Sequence, residues 1–189
     1  MFTPVSHFPC LEIPSHGIIL RECASTDATD WLSIVNDPVT QPFLPSTYHT
    51  NRVAQAKDTC EYLRQFFYNR SGIFWAISLE TGQMIGCCGF ENINADDRRA
   101  EIAFELLSSY HGKGIMSAAI KAVVTYGLGT MGLNRIDAIT MIDNTPAIRT
   151  LKRVHFSLEG TLSEYRKFHG EFIDVCIFGL TAKQWLSCL

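Results

Sequence analysis

The sequence predicts an α+β (mixed α/β) domain: a mixed sheet with helices on both faces. Three observations predict it. Segments whose apolar residues fall at helical spacing interleave with segments whose apolar residues alternate. Pairs of strand-like runs joined by turn residues stand at both ends of the chain, a hairpin signal. The 189 residues are 47% apolar and 19% charged, a balance that fills a core between layers and excludes a disordered or coiled-coil chain.

The elements follow in order. Residues 11–13 and 17–21 read as short extended pieces, and residues 1–16 as an N-terminal extension, for which a short edge hairpin is one available shape. Ser25 or Thr26 can cap a helix with Ala28, Trp31, Leu32 and Val35 on one face, stopped by Asn36-Asp37-Pro38. Asn51 can cap a second helix whose stripe is Val53, Ala56, Cys60, Leu63 and Phe67, closing at 69–72. The Asn69-Arg70-Ser71 sequon falls on that closure and reads as a helix end. Residues 73–79 and 84–92 form two strands around the turn 80–83, and the loop 94–98 leads to a strand over 99–107. A helix over 115–128 presents Met116, Ala119, Ile120, Val123 and Val124. A strand over 135–142 precedes a helix with Thr145 as N-cap and Pro146 in first position, where its missing N–H costs nothing. The run 168–180 closes the chain, paired with the stretch after Phe156. With no linker and no repeat, residues 1–189 read as a single domain.

Charge and cysteine content narrow the function. A formal net charge of -3 argues against nucleic acid as a partner. No run approaches the roughly 18 apolar residues that a membrane helix needs, so no membrane partner is expected. The first residues lack the basic and apolar regions of a signal peptide. The seven cysteines are odd in number and sit mostly in apolar runs, the pattern of reduced thiols in a cytoplasmic protein.

The residues that carry chemistry are Gly112-Lys113-Gly114, between a strand and a helix. A helix N-terminus offers unpaired amides and partial positive charge, and glycines let a phosphate approach them. A P-loop is excluded, because no Gly-Lys-Ser/Thr follows at the required spacing. Gly127-Leu128-Gly129-Thr130-Met131-Gly132 spells a dinucleotide fingerprint, but it follows a helix and precedes a strand, the inverse of the required context; it reads as a helix end.

The stretch 100–119 resembles the acetyl-CoA signature of the GNAT N-acetyltransferase superfamily, in its RimJ/RimL-like branch of ribosomal-protein N-terminal acetyltransferases. Arg135 to Ala138 followed by Asn144, the helix 151–156, Leu158-Glu159-Gly160 and residues 170–174 are similar to the later family motifs, in order, so the resemblance spans about 17–180. It implies a GNAT-like central twisted, mostly antiparallel sheet with two splayed parallel strands, acetyl-CoA lying in the splay as co-substrate, and no metal. By resemblance, Gly112, Gly114, Ile115 and Met116 hold the pyrophosphate with backbone amides, and Lys113 either adds charge or points to solvent. Phe104 and Leu106 pair with the pantetheine arm, and the Leu106 amide polarises the thioester carbonyl as an oxyanion donor. Asn144 either bonds the cofactor or serves as a helix-start residue. Departures are Ser109, His111, Ala147 and His155, and the tyrosine that acts as general acid in many members falls at Leu151.

Transfer to an amine needs a neutral amine, hence a base. Glu101 holds the place of the family's strand glutamate and is the candidate general base, with a solvent-facing strand residue as the alternative; Glu105 shares its face. An α-amine, with pKa near 8, loses its proton more easily than a lysine near 10.4, which favours a peptide N-terminus as acceptor over a small amine (polyamine, amino acid or antibiotic). A binding module without catalysis is the other class, and the assembly is open between monomer and homodimer. Pairing Cys87 or Cys88 with His111 or His155 would suggest thiol chemistry, but adjacent cysteines in an apolar run read as core. His7, Cys10 and His16 lack the further partners of a metal site. The aromatics Phe66, Phe67, Tyr68, Phe74 and Trp75 read as core, and the resemblance implies that their region borders the substrate entrance.

Overall fold

The computed structural model describes residues 7–188. Eight strands form one sheet in the order β1-β2-β3-β4-β5-β6-β8-β7. They are β1 (Leu11–Ile13), β2 (Ile18–Glu22), β3 (Ile73–Leu79), β4 (Met84–Asn94), β5 (Arg99–Leu106), β6 (Arg135–Met141), β7 (Ser157–Phe168) and β8 (Glu171–Thr181). Every neighbouring pair is antiparallel except β5 with β6. The helices are α1 (Ala28–Val35), α2 (Val53–Tyr68), α3 (Ile115–Thr125), α4 (Thr145–Arg153) and α5 (Ala182–Leu186).

Two apolar clusters explain the layers. On one face α1 and α2 bury Trp31, Ile34, Cys60 and Leu63 against Phe74, Met84 and Cys87. On the other, Ile120, Val124, Leu151 and Trp185 of α3, α4 and α5 pack on Trp75, Phe90 and Phe178. β3, covered on both sides, is accordingly apolar without a break from Ile73 to Ile77. β5 alternates: Ile102, Phe104 and Leu106 face α3, whereas Ala103 packs toward α1 and α2, the side shared by Glu101 and Glu105.

The caps differ from expectation. α1 begins after a 3-10 turn at Ser25–Asp27, where the Asp27 carboxylate accepts from the Ala24 amide and from Arg21, so neither Ser25 nor Thr26 caps it. Arg52, not Asn51, precedes α2. Asn144, not Thr145, caps α4: its Oδ1 accepts from the Ala147 amide at 3.2 Å, which shifts Pro146 to the second helical position. α3 stops at Thr125 and continues as a π turn, Tyr126–Thr130, so the fingerprint-like glycines do form a helix end. Gly127 has a packing reason, since a Cβ there would lie 2.7 Å from the Phe90 ring. Phe168 ends β7, and the closing turn is His169-Gly170, with both residues at positive φ. Phe74 and Trp75 are buried, but Tyr68 is exposed. Five cysteines are buried, while Cys10 and Cys188 are exposed. No helix among the described residues is long and apolar enough to cross a membrane.

Candidate active site

The parallel pair sets the site. β5 and β6 are in register only at Arg99–Arg135, Ala100–Ile136 and Glu101–Asp137. Beyond that the two strands continue without pairing to each other, β5 to Leu106 and β6 to Met141. The backbone that faces this gap follows from the ladder on the other side of β5. Leu107 donates to the Ile85 carbonyl at 2.9 Å, and Glu105 stands opposite Cys87. Antiparallel ladders alternate. The amides and carbonyls of Phe104 and Leu106 therefore turn the other way, toward the gap.

A cavity of about 390 Å³ occupies the gap and is lined by elements from both faces of the sheet. One wall is the start of α3. Gly112 and Gly114 adopt φ +74° and +78°, a left-handed backbone that glycine alone enters without strain. Gly114 is the N-cap and has no side chain to cap with. The first bond inside the helix is from Ala118 to the Gly114 carbonyl, which leaves the amides of Ile115, Met116 and Ser117 without a helical acceptor; all three residues line the cavity. The facing wall is α4, with Asn144, Arg149 and Arg153. Phe104 and Leu106 form the floor.

At the other mouth stand Thr40, Phe43 and Leu44, with Glu105, the one carboxylate among the lining residues. Burial pushes the Glu105 carboxyl up to about 8; Glu91 adds to the rise, and a hydrogen bond from the Cys87 thiol opposes it. Asp37 ties this mouth to the end of β5. Burial alone would raise its carboxyl, but the Ser108 hydroxyl (2.6 Å) and the Thr40 and Val39 amides (3.0 Å each) donate to it and hold it below the usual carboxylate range. Thr40 Oγ1 then donates to the Leu106 carbonyl at 3.0 Å, and His111 Nε2 donates to the same oxygen at 2.8 Å. With that carbonyl occupied, the Leu106 amide still faces the gap, beside the amide and carbonyl of Phe104.

Of the residues expected from sequence, Phe104, Leu106, Gly112, Gly114, Ile115, Met116 and Asn144 are brought together. Two are not. The Lys113 ammonium sits over the Tyr110 ring, 4.9 Å from its centroid, and Lys113 does not line the cavity. Glu101 lies beyond the end of the cavity, at the last paired rung of β5, where its Oε2 accepts from Asn92 at 3.1 Å. Leu151, at the place of the family's tyrosine, is buried in the core. The sequence reading did not place Glu105, Thr40, Arg149 or Arg153 in the cavity wall. The arginine pair had a signal in its i, i+4 spacing on a helix that starts at the gap. Thr40 had none.

Residues 18–157 match the family model described as the acetyltransferase (GNAT) domain. The chain belongs to the GNAT acetyltransferase family. It is 33% identical over 169 residues to the N-acetyltransferase p20 of Bacillus licheniformis, covering 89% of this chain and 94% of that one. It is 31% identical over 100 residues to the spermidine N(1)-acetyltransferase of Escherichia coli, 51% of this chain and 54% of that one. Among solved structures, Mycobacterium smegmatis RimJ in complex with CoA-disulfide has the same fold, with a TM-score of 0.81, 24% identity, and 96% and 93% of the two chains covered. The protein is thus a GNAT N-acetyltransferase, with a RimJ-like fold.

Proposed function

We propose that this N-acetyltransferase moves an acetyl group from acetyl-CoA to a primary amine, with a peptide N-terminal α-amine as the preferred acceptor. The cavity residues fit the cofactor. The uncapped α3 amides with Gly112 and Gly114 suit a diphosphate. The free backbone edge at Phe104 and Leu106 suits an amide-bearing arm. Acetyl-CoA supplies an acetyl group activated as a thioester. The Leu106 amide donates toward the carbonyl oxygen where negative charge develops. Glu105 accepts the amine proton as the C–N bond forms and the C–S bond breaks, and the departing thiolate takes its proton from water.

The observation that carries this reading is the Glu105 carboxyl, raised to about 8, in the same cavity as the uncapped helix start. A base near 8 matches an α-amine near 7.7–8, so proton transfer is close to even, whereas a lysine near 10.4 costs about 3.3 kcal/mol more. A cytoplasmic setting, with its reducing thiol pool, suits the five buried cysteines.

A second reading, a polyamine acceptor, is favoured by Glu91 and Glu101. They stand directly opposite each other on the face that carries Glu105, and such like-charged pairs lower sheet stability. The test is thiol release with a panel of acceptors: peptides beginning with Ser or Ala, spermidine and free amino acids. The α-amine reading expects kcat/KM for a peptide at least tenfold above spermidine. The reverse order selects the polyamine, and no turnover with any acceptor overturns both.

A further inference from the structure

Coenzyme A carries two separate anionic groups, a diphosphate and a 3′-phosphate monoester. The uncapped start of α3 accounts for one. Arg149 and Arg153 stand on the opposite wall of the same cavity. They lie one turn apart on α4, so they project from the same side of the helix. Both are exposed, and neither forms an ion pair among the described residues. No carboxylate of α4 stands beside them, since the helix reads Thr-Pro-Ala-Ile-Arg-Thr-Leu-Lys-Arg. By contrast Arg21, Arg64 and Arg135 all hold a carboxylate within 3.0 Å. Two arginines without carboxylate partners, both lining one cavity wall, can supply a guanidinium each to an anion with several free oxygens.

We propose that Arg149 and Arg153 form a phosphomonoester subsite that reads the 3′-phosphate of coenzyme A, separate from the diphosphate cradle at Gly112–Gly114. The assignment rests on the acetyl-CoA reading above. A monoester dianion presents three terminal oxygens, enough for one charge-assisted hydrogen bond from each arginine with one oxygen to spare. The diphosphate, held by backbone amides in a glycine turn, needs neither side chain. The subsite therefore sets the preference for coenzyme A over its dephosphorylated form, and it does so without touching the reacting atoms.

Calorimetric titration of coenzyme A and 3′-dephospho-coenzyme A into wild type, Arg149→Gln, Arg153→Gln and the double variant tests this. The expected result is a wild-type preference for coenzyme A of about tenfold or more, since each charge-assisted hydrogen bond to the phosphate is worth roughly a factor of ten. Each single variant loses affinity for coenzyme A alone, and the double variant binds the two ligands alike. Equal losses for both ligands would assign the arginines to the diphosphate or to folding and overturn the proposal, as would a double variant that keeps the wild-type preference. Melting temperatures taken alongside separate a folding defect from weakened phosphate binding, and the exposure of both side chains predicts no change. Wild type that binds neither ligand overturns the cofactor reading and this subsite with it. Binding without discrimination overturns the subsite alone.

Discussion

The two mouths of the cavity are built from different materials. At the α3 end the cavity-facing groups are backbone amides, left free because Gly114 cannot cap its own helix. At the Glu105 end a single carboxyl is set by what surrounds it: burial, Glu91 and the Cys87 thiol. The facing helix start sharpens the contrast. α4 also begins at the gap, but Asn144 closes the Ala147 amide with its own side chain. A helix start that caps itself is spent on stability, and one that cannot leaves its amides open to the cavity. Damage at the first mouth should therefore appear as weaker binding, and damage at the second as slower turnover.

The largest expected break is Glu105→Gln. Turnover should fall about a hundredfold with the affinity for coenzyme A held within twofold. Glu101→Gln, outside the cavity, should stay within a few-fold of wild type. In wild type kcat/KM should rise with pH to a plateau above about 8, because Glu105 works as a base only when deprotonated and its proton is lost near 8. The same carboxyl acts on stability. Its folded form binds a proton more tightly than the unfolded chain, so its contribution is intact below about 4.5 and is lost as pH climbs through about 8. The Gln variant should consequently gain in Tm over wild type across that window. A Tm difference that does not change with pH would refute the raised carboxyl.

A smaller break is Gly114→Val. The left-handed backbone disfavours any β-branched residue by about 1–2 kcal/mol, and the new Cβ would stand 3.3 Å from His16 Nε2. Affinity for coenzyme A should drop roughly tenfold while turnover at saturating cofactor stays near wild type. A variant that keeps full affinity would separate the glycine turn from the phosphate. The smallest effect belongs to Asn144→Ala, which removes an N-cap. It should cost about 1 kcal/mol in denaturant unfolding and less than threefold in cofactor affinity, with a larger affinity loss pointing to direct ligand binding by this side chain.

The same contrast explains what could be read from sequence. The layers were legible because each helix carries an apolar stripe and each half-buried strand alternates. The α3 mouth was legible because Gly112 and Gly114 bracket a strand-to-helix change, and a backbone site leaves its mark as glycine. The Glu105 mouth was not. Glu101 and Glu105 share a strand and a face, and nothing local distinguishes them; only the point where β5 parts from β6 leaves one outside the cavity and the other in its wall. That point depends on a partner strand some thirty-five residues away in the chain. Asp37 and Thr40 were equally hidden, since an Asn-Asp-Pro stop gives no hint that its aspartate latches onto Ser108.

One absent carbon shapes the π turn that continues α3. Gly127 lets the Phe90 ring, at the centre of the sheet, press directly on the helix backbone. Ile115 and Thr125 are about 15 Å apart along the axis of α3 at 1.5 Å per residue, and Gly127 follows in the π turn. The helix is seated on the sheet along its length by Met116, Ala119, Ile120, Val123 and Val124, and the close approach at Gly127 extends that seat beyond its tail. A methyl group at 127 would force either the Phe90 ring or the turn to move, so a position outside the cavity bears on the helix whose start lines it.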